Sequence, residues 1–158
     1  MRADGEDERW MDRALTEARV AAWRGEVPVG CALVEQSTGE LLSVGHNLRE
    51  LLHDPIAHAE VEAMRRAASA RGSWRLDGVT AYVTLEPCAM CAGAFVNARI
   101  SRVVYGCDDP RAGALRSLYR LGEDARLNHR FEVTAGVRAE ECAEVLRAFF
   151  RALRARRG

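Results

Sequence analysis

The chain has 158 residues, enough for one domain with a substantial buried core, and we expect a single domain over residues 1–158. Its hydrophobic content of 48% and charged content of 29% are ordinary for a globular protein, and no stretch is long and apolar enough for a membrane span. The formal net charge of zero does not indicate a nucleic-acid partner, and the acidic N-terminus lacks the apolar segment of a signal peptide, so we expect a cytoplasmic protein.

The first half of the chain predicts a helix, a β-hairpin and a second helix. Apolar residues at helical spacing indicate a helix over 8–24, which Gly25 ends. Two short apolar runs over 27–34 and 41–45 are separated by a Ser-Thr-Gly turn, which is typical of a hairpin. The second helix is expected over 57–71.

The second half alternates strands and helices. The strand before and the strand after a central helix form a βαβ unit, so we expect those two strands to be parallel. Together with the hairpin, this unit predicts an α/β fold, a three-layer α/β/α sandwich around a mixed five-stranded sheet. The predicted elements are a strand over 79–84, a helix over 87–98, a strand over 102–105, a short helix near 115–121, a strand over 131–135 and a final helix over 139–155.

Five cysteines are present, an odd number that argues against a disulfide framework in a reducing compartment. Cys88 and Cys91 are three residues apart, which suits either a metal site or a redox pair. The other three cysteines, Cys31, Cys107 and Cys142, are expected to be small core residues.

Two motifs carry the chemistry: His58-Ala59-Glu60, and Pro87-Cys88-Ala-Met-Cys91. Both lie where a helix is expected to begin, and side chains tilt toward the N-terminal end of a helix, so the imidazole and both sulfurs can converge. The helix N-terminus also favours thiolates, which zinc requires. His58, Cys88 and Cys91 therefore predict a zinc site with three protein ligands, which leaves a position open for water, as in catalytic sites.

Two alternatives to an open zinc site remain. A closed structural site would need a fourth ligand, for which the candidates are His46, His53 and His129, although none lies at a recognised ligand spacing. A thioredoxin-like redox pair would use the two cysteines, but it would leave the His-x-Glu motif unexplained.

Glu60 is the natural proton carrier beside such a metal. A metal-bound water has a pKa near 7, so a carboxylate can take and return its proton. His-x-Glu followed by Pro-Cys-x-x-Cys is also the established signature of zinc-dependent nucleobase deaminases.

The C-terminal residues are strongly basic. All 23 basic residues of the chain are arginines, and five of them fall within 147–158, where no acidic residue occurs. Such a tail can contact phosphates, or it can be a solvated helix end whose positive charge suits the helix dipole.

Further segments resemble one family. In addition to the two motifs these are residues 27–30, Asn47, 54–60, 82–94, 102–106, 127–130, 140–142 and 149–151. On these segments, nearly the whole chain resembles the bacterial tRNA-specific adenosine deaminases. The resemblance implies a cytidine-deaminase-like fold, a homodimer and hydrolytic deamination of adenosine to inosine at the wobble position of a tRNA anticodon, and it implies the same zinc ligands, one ion per subunit, with Glu60 as the proton shuttle.

The resemblance also implies contacts with the RNA substrate. Asn47 would hydrogen-bond the flipped base, and the backbone near Ala59 and Glu86 would line the pocket. Asp109 would contact the RNA backbone near the target, and Arg151 would lie on a C-terminal helix that touches the anticodon stem-loop.

Four residues depart from the usual pattern of this family: Leu48, Asp108, Leu115 and Arg116. They are expected near the RNA-facing loops and leave the metal site untouched. Two other functions are kept open, namely deamination of a free base or nucleoside such as guanine or cytidine, and a catalytically idle, zinc-stabilised RNA-binding module.

Overall fold

A computed structural model describes residues 4–157. The helices and strands follow the predicted order with two differences: a short helix, α2, is additional, and the short helix predicted near 115–121 is absent from the described residues. The elements are α1 (Asp4–Trp23), β1 (Gly30–Glu35), β2 (Leu41–His46), α2 (Arg49–Leu52), α3 (Ala59–Arg71), β3 (Val79–Leu85), α4 (Ala89–Ala98), β4 (Arg102–Cys107), a 3₁₀ turn (Leu121–Glu123), β5 (Glu132–Thr134) and α5 (Ala139–Arg157).

The five strands form one mixed sheet in the order β2-β1-β3-β4-β5. β1 pairs antiparallel with both β2 and β3, whereas β3, β4 and β5 are parallel to one another. The predicted parallel pairing across the βαβ unit is therefore confirmed. The register is illustrated by the Cα partners Gly30 with His46, Cys31 with Val83, and Val83 with Tyr105.

Alternation along the strands separates two cores. On β1, Cys31 and Leu33 point to one face of the sheet, where α3 and α4 cover them. Ala32 and Val34 point to the opposite face, where α1 and the start of α5 pack. The predicted three-layer α/β/α sandwich is confirmed. Within the described residues no helix is long and apolar enough to cross a membrane.

A close approach of α3 to β2 positions the site. A Cβ atom on Gly45 would lie 2.5 Å from the carbonyl oxygen of Ala59, so only glycine fits there. The first turn of α3 therefore rests directly on the end of β2. Because β2 ends at His46, the next residue, Asn47, is brought close to the His58 motif.

The predicted short helix near 115–121 is wrong. That segment forms turns, and the only regular piece among its described residues is the 3₁₀ turn that begins at Leu121. The backbone N–H groups of Leu115, Arg116 and Ser117 all point at the carboxylate of Glu86 rather than along a helix. A distant side chain thus replaces the local hydrogen bonds on which a helix depends.

Helix α2 was not predicted. It has four residues, and two of its N–H groups donate to a side chain distant in sequence: Glu50 N and Leu51 N lie 3.0 and 2.8 Å from the Glu26 carboxylate. The one local signal is Asn47, whose Oδ1 accepts from Arg49 N at 3.1 Å. The predicted apolar stripe of α5 is mostly half-buried, and only Cys142 of that helix is fully covered.

Candidate metal centre and substrate pocket

Two helix N-termini bring His58, Cys88 and Cys91 together. His58 is the N-cap of α3 and Cys88 is the N-cap of α4, both in extended conformation, while Cys91 lies in the first turn of α4. The His58 Nδ1 atom is 3.6 Å from the Cys88 sulfur and 3.5 Å from the Cys91 sulfur. All three potential ligand atoms lie within 4.8 Å of one another. The convergence expected from the two motifs is what the structure has.

These distances fit a tetrahedral ion. With bonds of about 2.0–2.1 Å to nitrogen and about 2.3 Å to sulfur, tetrahedral zinc separates those two ligand atoms by about 3.6 Å. The two measured Nδ1–Sγ distances agree with that edge length. The three side chains can therefore hold such a metal ion without rearrangement.

The protonation of the two sulfurs favours a cation. The pKa of Cys88 is lowered to about 3, chiefly because the Cys91 thiol donates to its sulfur and next because His58 does. Donation to Cys88, together with burial, raises the pKa of Cys91. The hydrogen bond with Cys88 raises the pKa of His58. These directions favour a thiolate at Cys88, and a metal ion would displace the proton that remains on Cys91.

No fourth protein ligand joins the cluster among the described residues. His46 Nε2 faces an Arg24 guanidinium at 3.2 Å, and His129 Nε2 bonds to a backbone carbonyl at 2.7 Å. His53 lies at the C-terminal end of α2 and outside the cluster. The geometry gives no support to a closed four-ligand site.

A cavity of about 210 Å³ opens onto two of the three candidate ligands, His58 and Cys88. Its volume is below the range of about 300–1,000 Å³ that drug-sized ligands occupy, which suits one nucleobase. All predicted site residues except Cys91 and Arg151 contribute to its wall. The lining consists of Val27, Val29, Asn47, Arg49, His58, Ala59, Glu60, Leu85, Glu86, Cys88, Asp109 and Ala112.

Glu60 places a buried carboxyl group in this wall. The residue is 3% exposed, and burial, as the largest cause, raises its pKa above the usual range of a glutamate. A carboxyl group with a raised pKa accepts and releases a proton closer to neutral pH than an exposed one does. The residue that the sequence singled out for proton transfer thus lies next to the metal ligands.

Asn47 presents its amide in a fixed orientation. Its Nδ2 donates to the Val27 carbonyl oxygen at 3.2 Å, and its Oδ1 accepts from the backbone N–H of Arg49 at 3.1 Å. These two backbone partners determine which amide atom is nitrogen and which is oxygen. One N–H and one lone pair are left to meet a ligand in the pocket.

In the loop that follows β4, two residues make contacts within the protein that the sequence did not predict, Asp109 and Arg116. Asp109 lines the pocket, but its Oδ1 also accepts from Arg111 N and Ala112 N at 3.1 and 3.3 Å, so it caps its own loop. Arg116, which was expected near an RNA-facing loop, instead directs its guanidinium to Glu123 at 2.6 Å and to a backbone carbonyl. Arg116 is therefore a brace within the protein.

The four residues that depart from the family pattern also differ from the expectation that they lie on RNA-facing loops. The side chains of Leu48 and Leu115 are buried at 6% and 0% exposure, so they belong to the core rather than to a loop surface. Asp108 is exposed and accepts a hydrogen bond from the Tyr105 hydroxyl at 2.8 Å. Arg116 is the brace already described.

Arg151 lies in a second, shallower groove along α5. This arginine groove is lined by Arg111, Leu146, Arg147, Phe150, Arg151 and Arg154 and has a volume of about 510 Å³. The loop after β4 reaches both cavities, since Asp109 lines the pocket and Arg111 lines the groove.

Two residues near the pocket were missed by sequence reasoning. Arg49 lines the pocket, and the fully buried Glu26 holds the helix that begins at Arg49. In the sequence, the only indication of a role for Glu26 is that a glutamate directly precedes the apolar Val27. That position does not reveal that its partners lie more than twenty residues away.

Comparisons with known proteins point to the same chemistry. Residues 5–154 match the family model described as MafB19-like deaminase. The tRNA-specific adenosine deaminase of Bacillus subtilis strain 168 is 49% identical over 149 residues, which cover 94% of this chain and 91% of that protein.

Solved structures share the fold. One, from biochemical and structural studies of A-to-I editing by tRNA:A34 deaminases at the wobble position of transfer RNA, has a TM-score of 0.83 and 43% identity over 87% of this chain and 99% of that chain. A guanine deaminase from Nitrosomonas europaea has a TM-score of 0.78 over 90% of this chain and 83% of that one. Its identity of 22% makes it similar in fold alone.

Proposed function

This chain belongs to the MafB19-like deaminase family and to the tRNA-specific adenosine deaminases, and we propose that it hydrolyses adenosine to inosine at the wobble position of a tRNA anticodon. The resemblance of its motifs to that family is confirmed. The observation that carries the proposal is the buried Glu60 carboxyl group in the wall of a base-sized cavity that also contains His58 and Cys88.

Zinc is the metal we propose, with one ion per subunit held by His58, Cys88 and Cys91. The donor set of one imidazole and two thiolates is that of zinc deaminases, and the nitrogen–sulfur distances match a tetrahedral ion. When bound, zinc supplies a Lewis acid that lowers the pKa of water toward about 7.

Glu60 moves the protons of the hydrolysis. Water adds to the ring carbon that bears the amino group, and the amino group leaves as ammonia, so adenosine and water give inosine and ammonia. The Glu60 carboxylate takes one proton of the attacking water and delivers it to a ring nitrogen of the purine. It then takes the proton of the added hydroxyl group and delivers it to the departing amino group. Burial keeps this carboxyl group away from bulk water, which would otherwise compete for the proton.

Asn47 and the pocket walls orient the base. A base that is stacked in an RNA helix cannot reach a buried site in the protein, so the target nucleotide must be flipped out of its stack. The free N–H and lone pair of Asn47 are available to the edge of the flipped base, while the backbone at Ala59 and Glu86 forms the walls. An anticodon loop suits this requirement because its bases are already unpaired.

The RNA backbone is proposed to lie along the loop after β4 and the arginine groove. Asp109 stands at the pocket and Arg151 in the groove, and Arg111 connects the two sites. Arginines in a concave surface attract phosphates without selecting a sequence. Cytoplasmic tRNA is the corresponding partner, and the cytoplasm is the compartment we propose.

A homodimer is part of the proposal. Large apolar side chains are exposed on the segments that flank the metal ligands in the chain: Leu51 at 45%, Leu52 at 53%, Ile56 at 46% and Met90 at 37%. Exposed apolar groups of this size are typical of an interface. The single-domain organisation over residues 1–158 also remains a proposal.

The alternatives receive less support. The guanine deaminase similarity concerns the fold, and no described contact favours guanine or cytidine over adenine. An idle RNA-binding module would not require Glu60 to be buried in the pocket wall.

The proposal is tested by incubating purified protein with a pool of unmodified tRNA and sequencing it for A-to-I changes. We expect inosine at one anticodon wobble position, and much slower turnover of free adenosine, guanine and cytidine in parallel assays. Equal efficiency on a free nucleoside or base and on an anticodon stem-loop would replace this proposal with the free-substrate alternative.

A further inference from the structure

Glu86 is a buried carboxylate with an unusual number of partners. It follows β3 directly and is 2% exposed. Its Oε1 accepts from Asp109 N at 3.0 Å and from the Ser117 hydroxyl at 2.5 Å. Its Oε2 accepts from the N–H groups of Leu115, Arg116 and Ser117 at 3.1, 2.8 and 2.9 Å. Both oxygens are thus fully used inside the protein.

Hydrogen bonds from both ends of one chain segment meet at this carboxylate. Its five donors belong to Asp109 at one end and to Leu115, Arg116 and Ser117 at the other. Charge-assisted bonds to backbone N–H groups are stronger than neutral ones. The carboxylate therefore holds both ends of the segment between residues 109 and 117, which we name the 109–117 loop.

The backbone of Glu86 is fixed independently of its side chain. Its N–H donates to the Cys107 carbonyl oxygen at 2.9 Å, which ties it to the end of β4. The next residue, Pro87, accepts a bond from Ala114 N at 2.8 Å, and Cys88 forms a β-bridge with Gly113. A rigid base is therefore available from which the side chain can hold the loop.

The Glu86 carboxyl group lies so close to Gly113 that no side chain fits at residue 113. A Cβ atom at Gly113 would lie 2.3 Å from the Glu86 carboxyl carbon and 2.4 and 2.5 Å from its oxygens. The loop can approach the carboxylate this closely only because residue 113 has no side chain.

The loop carries groups of both candidate RNA contacts. Asp109 and Ala112 line the pocket, and Arg111 lines the arginine groove. Glu86 itself lines the pocket and touches both ends of the loop. One carboxylate thus sets the relative position of the base pocket and the backbone groove.

We propose that Glu86 is a positioning residue for RNA capture: its carboxylate holds the 109–117 loop so that Asp109 and Arg111 meet the substrate together. This inference rests on the function proposed above. It assigns the side chain a role in binding RNA, whereas the proton chemistry stays with Glu60.

The Glu86→Gln substitution should affect the two ends of the 109–117 loop differently. The amide can keep its oxygen toward Leu115, Arg116 and Ser117, and the Ser117 hydroxyl can turn to accept from the amide nitrogen. Only the Asp109 N–H then loses its acceptor, because two donors face each other there. We expect this variant to retain zinc and to raise KM for an anticodon stem-loop about tenfold, equivalent to about 1.4 kcal/mol, while kcat falls by a smaller factor.

Gly113→Ala disturbs the same contact, but by a change in the loop rather than in Glu86. Its methyl group displaces the carboxylate, so we expect a comparable rise in KM. In a Glu86→Ala background that methyl group has room, and the added effect of Gly113→Ala should largely vanish, as coupled neighbours require. Glu40→Gln is the matched control: it replaces an exposed carboxylate in the hairpin turn beyond β1 and should leave KM unchanged.

Amide hydrogen exchange measured by NMR provides a readout independent of activity. In Glu86→Gln the Asp109 amide should exchange faster, with the amides of Leu115 and Ser117 less affected, and in Glu86→Ala all three should exchange faster. If the wild-type protein had no activity on the stem-loop, the proposed function would be refuted. The exchange data would still show whether Glu86 holds the 109–117 loop. Unchanged exchange at Asp109, or a fall in kcat with KM unchanged, would overturn the role assigned to Glu86.

Discussion

Glu60→Gln is the substitution that most directly tests the chemistry. It keeps the size and shape of a side chain that is 3% exposed and removes only its ability to carry a proton. General acid–base groups contribute about 100- to 10,000-fold, so we expect kcat to fall at least 100-fold. Burial raises the pKa of Glu60, which means that the folded metal-free protein disfavours its charge. The neutral amide removes that cost, so the thermal midpoint of the metal-free variant should be no lower than that of wild type.

The assay follows single-turnover formation of inosine in an anticodon stem-loop, with zinc measured on the same sample. Glu62→Gln is the matched control, since Glu62 lies on the same first turn of α3 but outside the lining of the pocket. It should retain activity within about twofold. A Glu60→Gln enzyme within a few-fold of wild type would refute the proton-shuttle role, and loss of zinc in this variant would show that the carboxyl group supports the metal instead.

Four further outcomes are expected. Cys91→Ala should lose zinc and stability, because metal binding is coupled to folding, and full zinc retention on elemental analysis would remove Cys91 from the site. Asn47→Ala should raise KM for the stem-loop while zinc content stays the same; an unchanged KM would argue against base contact. Asp109→Asn keeps the Oδ1 that caps the loop, so any loss of preference for RNA over its DNA counterpart would report a sugar contact, whereas an unchanged ratio would leave it as a loop cap. Removal of residues 152–158 should weaken RNA binding and reduce the slope of log affinity against log salt while zinc is retained; an unchanged slope would identify a solvated helix end.

The metal centre was predictable because its signal is local. The His58 and Cys88 motifs each begin a helix, and both side chains converge through the general tilt of side chains toward a helix N-terminus. The sheet was equally accessible, since the hairpin and the βαβ unit each occupy consecutive segments of the chain. These inferences needed no knowledge of distant contacts.

The failures have the opposite character. The segment near Leu115 has a helical pattern, but its N–H groups are taken by Glu86, about thirty residues earlier. Helix α2 is held by Glu26, which accepts from its second and third N–H groups across more than twenty residues. In both places a buried carboxylate far along the chain organises a loop at the pocket. Sequence periodicity does not record such pairings, since nothing near the loop indicates its partner.

The zero net charge is compatible with an RNA substrate once the ion pairs of α5 are considered. Arg147 is paired with Glu140 and Glu144, and Arg151 bonds to Glu144 at 2.8 Å. These acidic residues offset the arginines in the sum but lie on the helix that carries the groove. Exposed pairs of this kind contribute little to stability, so a phosphate can exchange for the carboxylate at small cost. Arg154 lines the same groove and forms no ion pair within residues 4–157, so we expect it to be the easiest arginine for a phosphate to reach. A net charge of zero therefore does not conflict with the RNA contact that we propose for this groove, since the local arrangement of charges matters more than their sum.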